Sequence, residues 1–447
     1  MYPHADAIRL HLSRGPAPAR QLVQALGISQ PTLSRALAGM GDEVVRVGAA
    51  RSIHYALRDT VRGVDALPVY RVTAQGQIQP LGELLPVRSE GFVMRQTDGS
   101  SRHSDGLPWW LMDMRPRGYL GRAYAASHAV ALGLPTQLGD WQDSHVLRAL
   151  LAHGHDAVGN LLLGDLARER FLQNPPPQAI AVAEKPATYA RLAQEAAQGE
   201  RPGSSAAGEQ PKFAAFADTA SGPAHVLVKF TEAHANPVTQ RWRDLLLAEH
   251  LALQTLSAAG VAAASSQVID HGEQRFLELE RFDRVGTLGR RGLISLEAVE
   301  AEFVGDARAP WPELARRLAD DRHVSPEAAQ GAAQLHAFGT LIGNTDMHNG
   351  NLSFTTDEGR PYALAPAYDM LPMGFAPRSG GALPHALPAP SLHPSVPHAA
   401  WARALAWASD YLARLHNEPA FSADFRPCIE ALAAHLKAAQ AQVRRLG

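Results

Sequence analysis

At 447 residues, 46% of them apolar and 19% charged, with a formal net charge of −2, the chain has the balance of a folded protein of roughly two or three domains and not of a disordered one. Near-neutrality excludes a chain-wide field for polyanions, so any nucleic-acid surface must be local. A single cysteine, Cys428, excludes an internal disulfide framework, the 20 histidines show no zinc-type spacing, and neither a secretory leader nor an apolar run of about 20 residues is present, so the expected address is the cytoplasm, with no membrane partner.

Residues 6–13 carry Ala7, Ile8, Leu10 and Leu12 in a short amphipathic stretch that Gly15-Pro16 ends. Ala19 to Leu26 places Leu22, Val23 and Leu26 on one helical face, and Gly27 stops it. Ser29 is a cap for the next helix, Pro31 suits its first turn, and Leu33, Ala36 and Leu37 form its inner face. Two short strands follow, Glu43 to Val47 and Ile53 to Leu57, around a turn at 48–52. A hairpin directly behind helix-turn-helix is a wing. The stretch Gly27 to Arg35 resembles recognition helices of bacterial winged-helix regulators, which implies Gln30, Thr32, Ser34 and Arg35 facing the major groove of duplex DNA, with Arg46 and Arg51 near phosphates. A helical module used only for protein contacts is the alternative, although it gives no reason for polar Gln30, Ser34 and Arg35 outside.

From Pro68 the text turns to strand-like segments, then to the helical Leu147 to Leu151, which together say only mixed α and β. Residues 174–178 and 198–208 read as connectors. The second runs from Gly203 through Lys212 into a strand-like Phe213 to Phe216. Such a small-residue loop can bring backbone amides close to phosphates, though it has no Walker spacing and equally suits a surface linker.

Lys229 sits in the apolar strand Val226 to Phe230, where a lone ammonium is costly to desolvate. Downstream, Glu249 lies among leucines of a helix over 244–256, and a strand lysine followed by a helix glutamate is the order of the ion pair that positions nucleotide phosphates in protein kinases. Arg275 to Arg284 reads as a buried strand emerging into a polar turn, a place for a hinge whose backbone binds adenine.

The strongest signal is Asn344-Thr345-Asp346-Met347-His348-Asn349-Gly350-Asn351, a polar loop between an apolar helix over 332–342 and an apolar strand, followed by Tyr368-Asp369. Phosphoryl transfer needs a carboxylate to take the proton of the attacking hydroxyl and hard oxygen ligands for Mg²⁺. Asp346 with Asn351 five residues later matches that pattern, with Asp369 as second metal ligand. The competing reading is an Asx-rich turn with a chance downstream aspartate.

Over roughly residues 150–440 the chain resembles the HipA family of bacterial toxin serine/threonine kinases. The matching segments are Ser205-Ala206-Ala207-Gly208-Glu209-Gln210-Pro211-Lys212, Glu280-Arg281-Phe282-Asp283-Arg284, Asn344 through Asn351, and Tyr368-Asp369. The fused N-terminal segment looks like the HipH or YjjJ subgroup, whereas typical members rely on a separate DNA-binding antitoxin. The resemblance implies an α+β chain: a winged helix-turn-helix over 1–60, a kinase N-lobe with a β-rich subdomain and phosphate loop over 61–300, and a mainly helical C-lobe with the catalytic loop over 301–447.

ATP and Mg²⁺ are the implied cofactors. Asp346 is then the catalytic base with His348 close to the phosphates, and Asn351 and Asp369 hold the metal. Ser205, Ala206, Ala207, Gly208, Lys212, Lys229, Glu280, Phe282 and Tyr368 serve ATP, with hinge backbone at Glu280 and Phe282. Ser205, or adjacent Ser204, is the implied autophosphorylation site, whose modification ejects the loop. Pro211 departs from relatives that carry an acidic residue there, and it restrains Gln210 to extended backbone. The implied partners are a protein substrate such as a component of translation, duplex DNA, and an antitoxin where one exists. The alternative is a DNA-binding regulator whose kinase-like domain only senses nucleotide. The Pro- and His-rich stretch 376–398 reads either as a substrate-facing element or as a plain surface excursion.

Overall fold

The computed structural model describes residues 4–48, 53–198 and 210–445. By internal contacts the chain divides into two compact units: Met1–Thr73 with Gln77–Arg115 and Asp140–Pro175, and Ala74–Gly76 with Pro116–Gly139 and Pro176–Gly447. No described helix is long and apolar enough to cross a membrane.

The first unit opens with α1 (Ala5–Leu12), β1 (Ala17–Pro18), α2 (Ala19–Leu26), α3 (Gln30–Met40), β2 (Val44–Val47) and β3 (His54–Leu57). Gly27 ends α2 with φ 63°, a left-handed conformation that glycine enters without strain. Ser29 caps α3, accepting from the Thr32 N–H at 3.4 Å, with Pro31 in the first turn. Ile8, Leu12, Leu22, Leu33 and Leu37 close one small core.

The strands pair antiparallel in the order β1-β3-β2. Alternation along β2 turns Val45 and Val47 inward and Arg46 outward. Those valines and Ala56 bury against Leu85, Val87 and Val93, which belong to β5 (Ile78–Val87) and β6 (Gly91–Gln96). With β4 (Leu67–Val72), β7 (Ser101–Ser104) and β8 (Leu161–Leu163) these make a five-stranded sheet ordered β7-β6-β5-β4-β8. Because the two sheets share a core, the first 60 residues and the following sheet are one compact body. Here α4 (Gly118–His128) belongs to the second unit, and α5 (Asp143–His153) and α6 (Asp165–Gln173) to the first.

The second unit contains α7 (Lys185–Ala197), β9 (Lys212–Thr219), β10 (Gly222–Phe230), α8 (Pro237–Ala258), β11 (Ser266–His271) and β12 (Gln274–Glu280), with an antiparallel sheet ordered β11-β12-β10-β9. Val226, Val228 and Phe230 of β10 pack with Tyr189 and Leu192 of α7. The period of two therefore sends Lys229 to the opposite face, toward α8.

Short strands β13 (Arg284–Val285), β14 (Gly289–Arg290) and β15 (Leu293–Ser295) lead to α9 (Leu296–Phe303), α10 (Trp311–Asp320) and α11 (Pro326–Leu341). Then come β16 (Ser353–Thr355), β17 (Ala363–Leu364), α12 (His398–Asn417) and α13 (Arg426–Val443). Ser325 caps α11 by accepting from the Ala328 N–H at 3.0 Å. Met347 folds its side chain back onto Gly339 within α11, so a Cβ there would have to displace the methionine thioether.

Residues 376–398 are not a loose excursion. Buried Arg241 donates to the carbonyls of Phe375 (2.9 Å) and Pro384 (2.7 Å) and lies 3.1 Å from His385 Nε2. His435 bridges Pro388 and Thr340 at 3.0 and 3.1 Å. Cys428 is buried, and desolvation pushes its thiol up to about 11, far from reactive thiolate.

Candidate functional site

The centre of the site is Lys229. Its ammonium donates to Glu249 Oε1 and Oε2 at 2.6 and 2.7 Å and to Asp369 Oδ1. Three N–H donors thus meet three carboxylate oxygens, the arrangement a buried ammonium requires. The strand lysine and helix glutamate paired by the sequence reading meet here, and Asp369 joins them from 140 residues away.

Burial opposes the charge on Lys229, but Asp369 and Glu249 outweigh it and hold the ammonium above its ordinary range. The two carboxylates are driven apart. Burial raises Asp369, yet Lys229 and Lys212 overcome that and hold it below the usual carboxylate range. Glu249 is more completely enclosed, and there burial wins and raises it.

Asp369 has φ 53°, a left-handed backbone uncommon for a residue with a Cβ. Its carbonyl accepts from Asn344 Nδ2 at 3.1 Å, while Asn344 Oδ1 accepts from the Asp346 N–H at 3.0 Å. One buried asparagine thereby ties both aspartates together.

Asp346 is raised, first by desolvation; His348 lowers it and Asp369 adds to the rise. Asn351 Nδ2 donates to the Asp346 carbonyl at 2.8 Å, so the amide oxygen is not used in that bond. His348 Nδ1 accepts from the Gly350 N–H at 3.1 Å, and its carbonyl accepts from Trp311 Nε1 at 3.1 Å. Tyr368 donates to the Gly350 carbonyl at 2.8 Å, meets Ser353 Oγ at 2.7 Å, and packs against Phe282 at 5.8 Å between ring centroids.

A cavity of about 360 Å³ gathers Lys212, Lys229, Asp346 and Asp369. Asn351, His348, Glu280, Phe282 and Tyr368 lie outside its lining. The Glu280 N–H donates to Ser265 O at 2.9 Å, and its carboxylate accepts from Ser221 Oγ at 3.0 Å. Ser204, Ser205, Ala206, Ala207, Gly208 and Arg51 lie outside the described residues. Gln30, Ser34, Arg35 and Arg46 are exposed on α3 and β2, whereas Thr32 is half-buried, its hydroxyl 2.9 Å from Ser29 in the cap.

Sequence reasoning assigned no role to Asn344 or Trp311. For Asn344 a signal existed: a buried amide directly after an apolar helix must find partners. Trp311 carried none, since its bond to the His348 carbonyl spans 37 residues.

Among the described residues no three His, Cys, Asp or Glu side chains gather as a metal cage. The hard donors on the cavity are instead Asp346 and Asp369 beside Lys212 and Lys229, with Asn351 bonded to the Asp346 carbonyl outside the lining, a set suited to a divalent cation shared with an anionic ligand.

This C-terminal architecture is that of the HipA-like proteins. A family model described as HipA-like C-terminal domain matches residues 204–439, and another, YjjJ-like toxin, middle domain, matches residues 64–172. The Toxin YjjJ of Escherichia coli (strain K12) is 40% identical over 438 residues, covering 98% of each chain. The HipA of Shewanella oneidensis MR-1, solved with HipB and its operator DNA, shares the fold at TM-score 0.51 and 18% identity, over 85% of this chain and 97% of that one. The chain belongs to the YjjJ-like toxins, a family related to the HipA of toxin–antitoxin systems.

Proposed function

We propose that the protein is an ATP- and Mg²⁺-dependent serine/threonine protein kinase that modifies a cellular protein and itself. The observation that carries this reading is the meeting of Lys229, Asp346 and Asp369 on one cavity, with Lys229 locked by Glu249.

The donor set fits the cofactors. Asp369 and the Asn351 amide oxygen would hold Mg²⁺, which needs only one or two protein oxygens when phosphates supply the rest. When bound, the metal neutralises charge on the transferred phosphoryl group. With Asp369 holding a metal, Lys229 would keep its two bonds to Glu249 and have its third N–H available for a phosphate oxygen, and buried Lys212 would add positive charge. Asp346 takes the proton of the acceptor hydroxyl, and its raised pKa makes it a better base than an ordinary aspartate. Asn351 fixes the backbone that carries Asp346.

Labelled phosphate from ATP should enter the wild-type chain and not Asp346→Ala. Incorporation by that variant at the wild-type rate would end the assignment. Autophosphorylation should fall on Ser205 or Ser204 and vanish when both are alanine.

The first 60 residues are read as a winged helix-turn-helix for duplex DNA, supported by the exposure of Gln30, Ser34 and Arg35 on the Ser29-capped α3 and of Arg46 on β2. Sensing of nucleotide without transfer is disfavoured because Asp346 is exposed and its described hydrogen bonds run through its backbone, so its carboxylate supports no described packing.

A further inference from the structure

The chemistry proposed above uses only part of the 360 Å³ cavity. The remaining lining includes Gln210 and, from α8 and the segment after β17, Val238, Thr239, Trp242, Leu371 and Met373. Thr239 is 3% exposed, and its Oγ1 has no partner among the described residues. Its backbone N–H is already served by Asn236 Oδ1 at 2.8 Å, so the hydroxyl is not needed for the helix cap. Thr255, in the same helix, bonds back to Leu251 O at 2.7 Å. Thr239 stands in the first turn of α8, where the carbonyl four residues back precedes the helix. Gln210 Nε2 is a second buried polar atom without a partner among the described residues.

Buried polar groups are ordinarily paired, so two orphans on one cavity wall call for a ligand. An isolated anion is disfavoured, because Glu232, Asp346 and Asp369 outnumber Lys212 and Lys229 on the lining. A peptide group matches better: its carbonyl accepts from the Gln210 amide and its N–H donates to the Thr239 hydroxyl, while an apolar side chain packs on Val238, Trp242 and Met373.

A compact space of this volume is roughly 9 Å across, the span of two to three extended residues. We infer that this region is the acceptor-side specificity pocket, taking a neutral, large apolar residue within about two positions of the phosphorylated serine or threonine in a protein substrate. The inference rests on the kinase reading and adds the class of substrate sequence to it.

The test uses full-length protein, magnesium-ATP and serine peptides carrying Leu, Met or Phe, or else Ala or Asp, at each of the flanking positions. One position should favour the large apolar residues. Thr239→Val, which removes only the hydroxyl, should raise KM for the favoured peptide about tenfold relative to KM for ATP, the worth of one hydrogen bond. It should melt no lower than wild type, because the hydroxyl makes no bond among the described residues. Val238→Trp, which fills the pocket, should flatten the apolar preference. Autophosphorylation without any positional preference overturns the pocket alone, as does a Thr239→Val effect that falls equally on ATP. Calorimetry showing no uptake of magnesium-ADP by wild type removes the kinase reading and the pocket with it.

Discussion

Replacing Lys229 by methionine removes the cation from between Glu249 and Asp369 while preserving most of the side-chain volume. Glu249 is 0% exposed and its carboxylate oxygens are held by Lys229 at 2.6 and 2.7 Å, so the variant leaves a charge buried without its partner. Breaking such a pair costs about 3–5 kcal/mol, whereas replacing both members by apolar groups is often neutral. Lys229→Met should therefore lose about 3–5 kcal/mol, and Lys229→Met with Glu249→Leu should recover most of it.

The loss should depend on pH. Burial already raises the folded-state pKa of Glu249 above its unfolded value, and removing Lys229 raises it further. Protonation then relieves the site in acid, and the deficit grows as pH rises through the folded pKa. Urea unfolding followed by circular dichroism at about pH 5 and about pH 8 measures both effects. A single variant as stable as wild type at the higher pH, or a double variant no better than the single, would refute the assignment of Lys229 as the charge that Glu249 depends on.

Asn344→Leu should cut phosphoryl transfer by about 100-fold, because it releases the left-handed Asp369 and the Asp346 backbone together, and kcat should suffer more than KM for ATP. Transfer should fall in acid with a midpoint above the ordinary aspartate range, since Asp346 must be ionised to take a proton and its pKa is raised; the pH profile of kcat/KM reads this. His336 on α11 is depressed to about 4, chiefly by burial, so the unfolded chain binds a proton that the folded one refuses. Stability should consequently fall as pH drops from about 6.5 to about 4, by at most roughly 3 kcal/mol, and His336→Gln should flatten that slope in urea titrations. Arg35→Ala should weaken duplex binding by the full chain and make the dependence on salt shallower.

Local patterns made some of this legible. The cap at Ser29 and the stop at Gly27 define α3 because a helix end must satisfy its own backbone within a few residues. The five-residue step from Asp346 to Asn351 was readable because both lie on one short loop, where the Asn351 amide reaches the Asp346 carbonyl. Lys229 betrayed itself as an ammonium among apolar strand residues, and Glu249 as a carboxylate among leucines. Asn344 was visible as a residue but not as a tie, since half of its role depends on the carbonyl of Asp369, 25 positions away. Thr239 gave no sign beyond its place after Asn236-Pro237; that its hydroxyl has no partner among the described residues is a property of the surrounding wall.

Sequence alone determined which chemical groups the chain owns and which short segments present them: the capped helix, the strand lysine and the Asp346 loop. Those follow from backbone satisfaction and side-chain periodicity over a turn or two. Only the tertiary structure decided that Asp369 would be held below the usual carboxylate range and Glu249 raised above it, that the sheet after residue 66 shares a core with β2 and β3, and that the 376–398 stretch is clamped by Arg241. Each depends on burial and on partners more than 20 residues distant, where no periodicity carries information and the desolvation of a charge is set by everything packed around it.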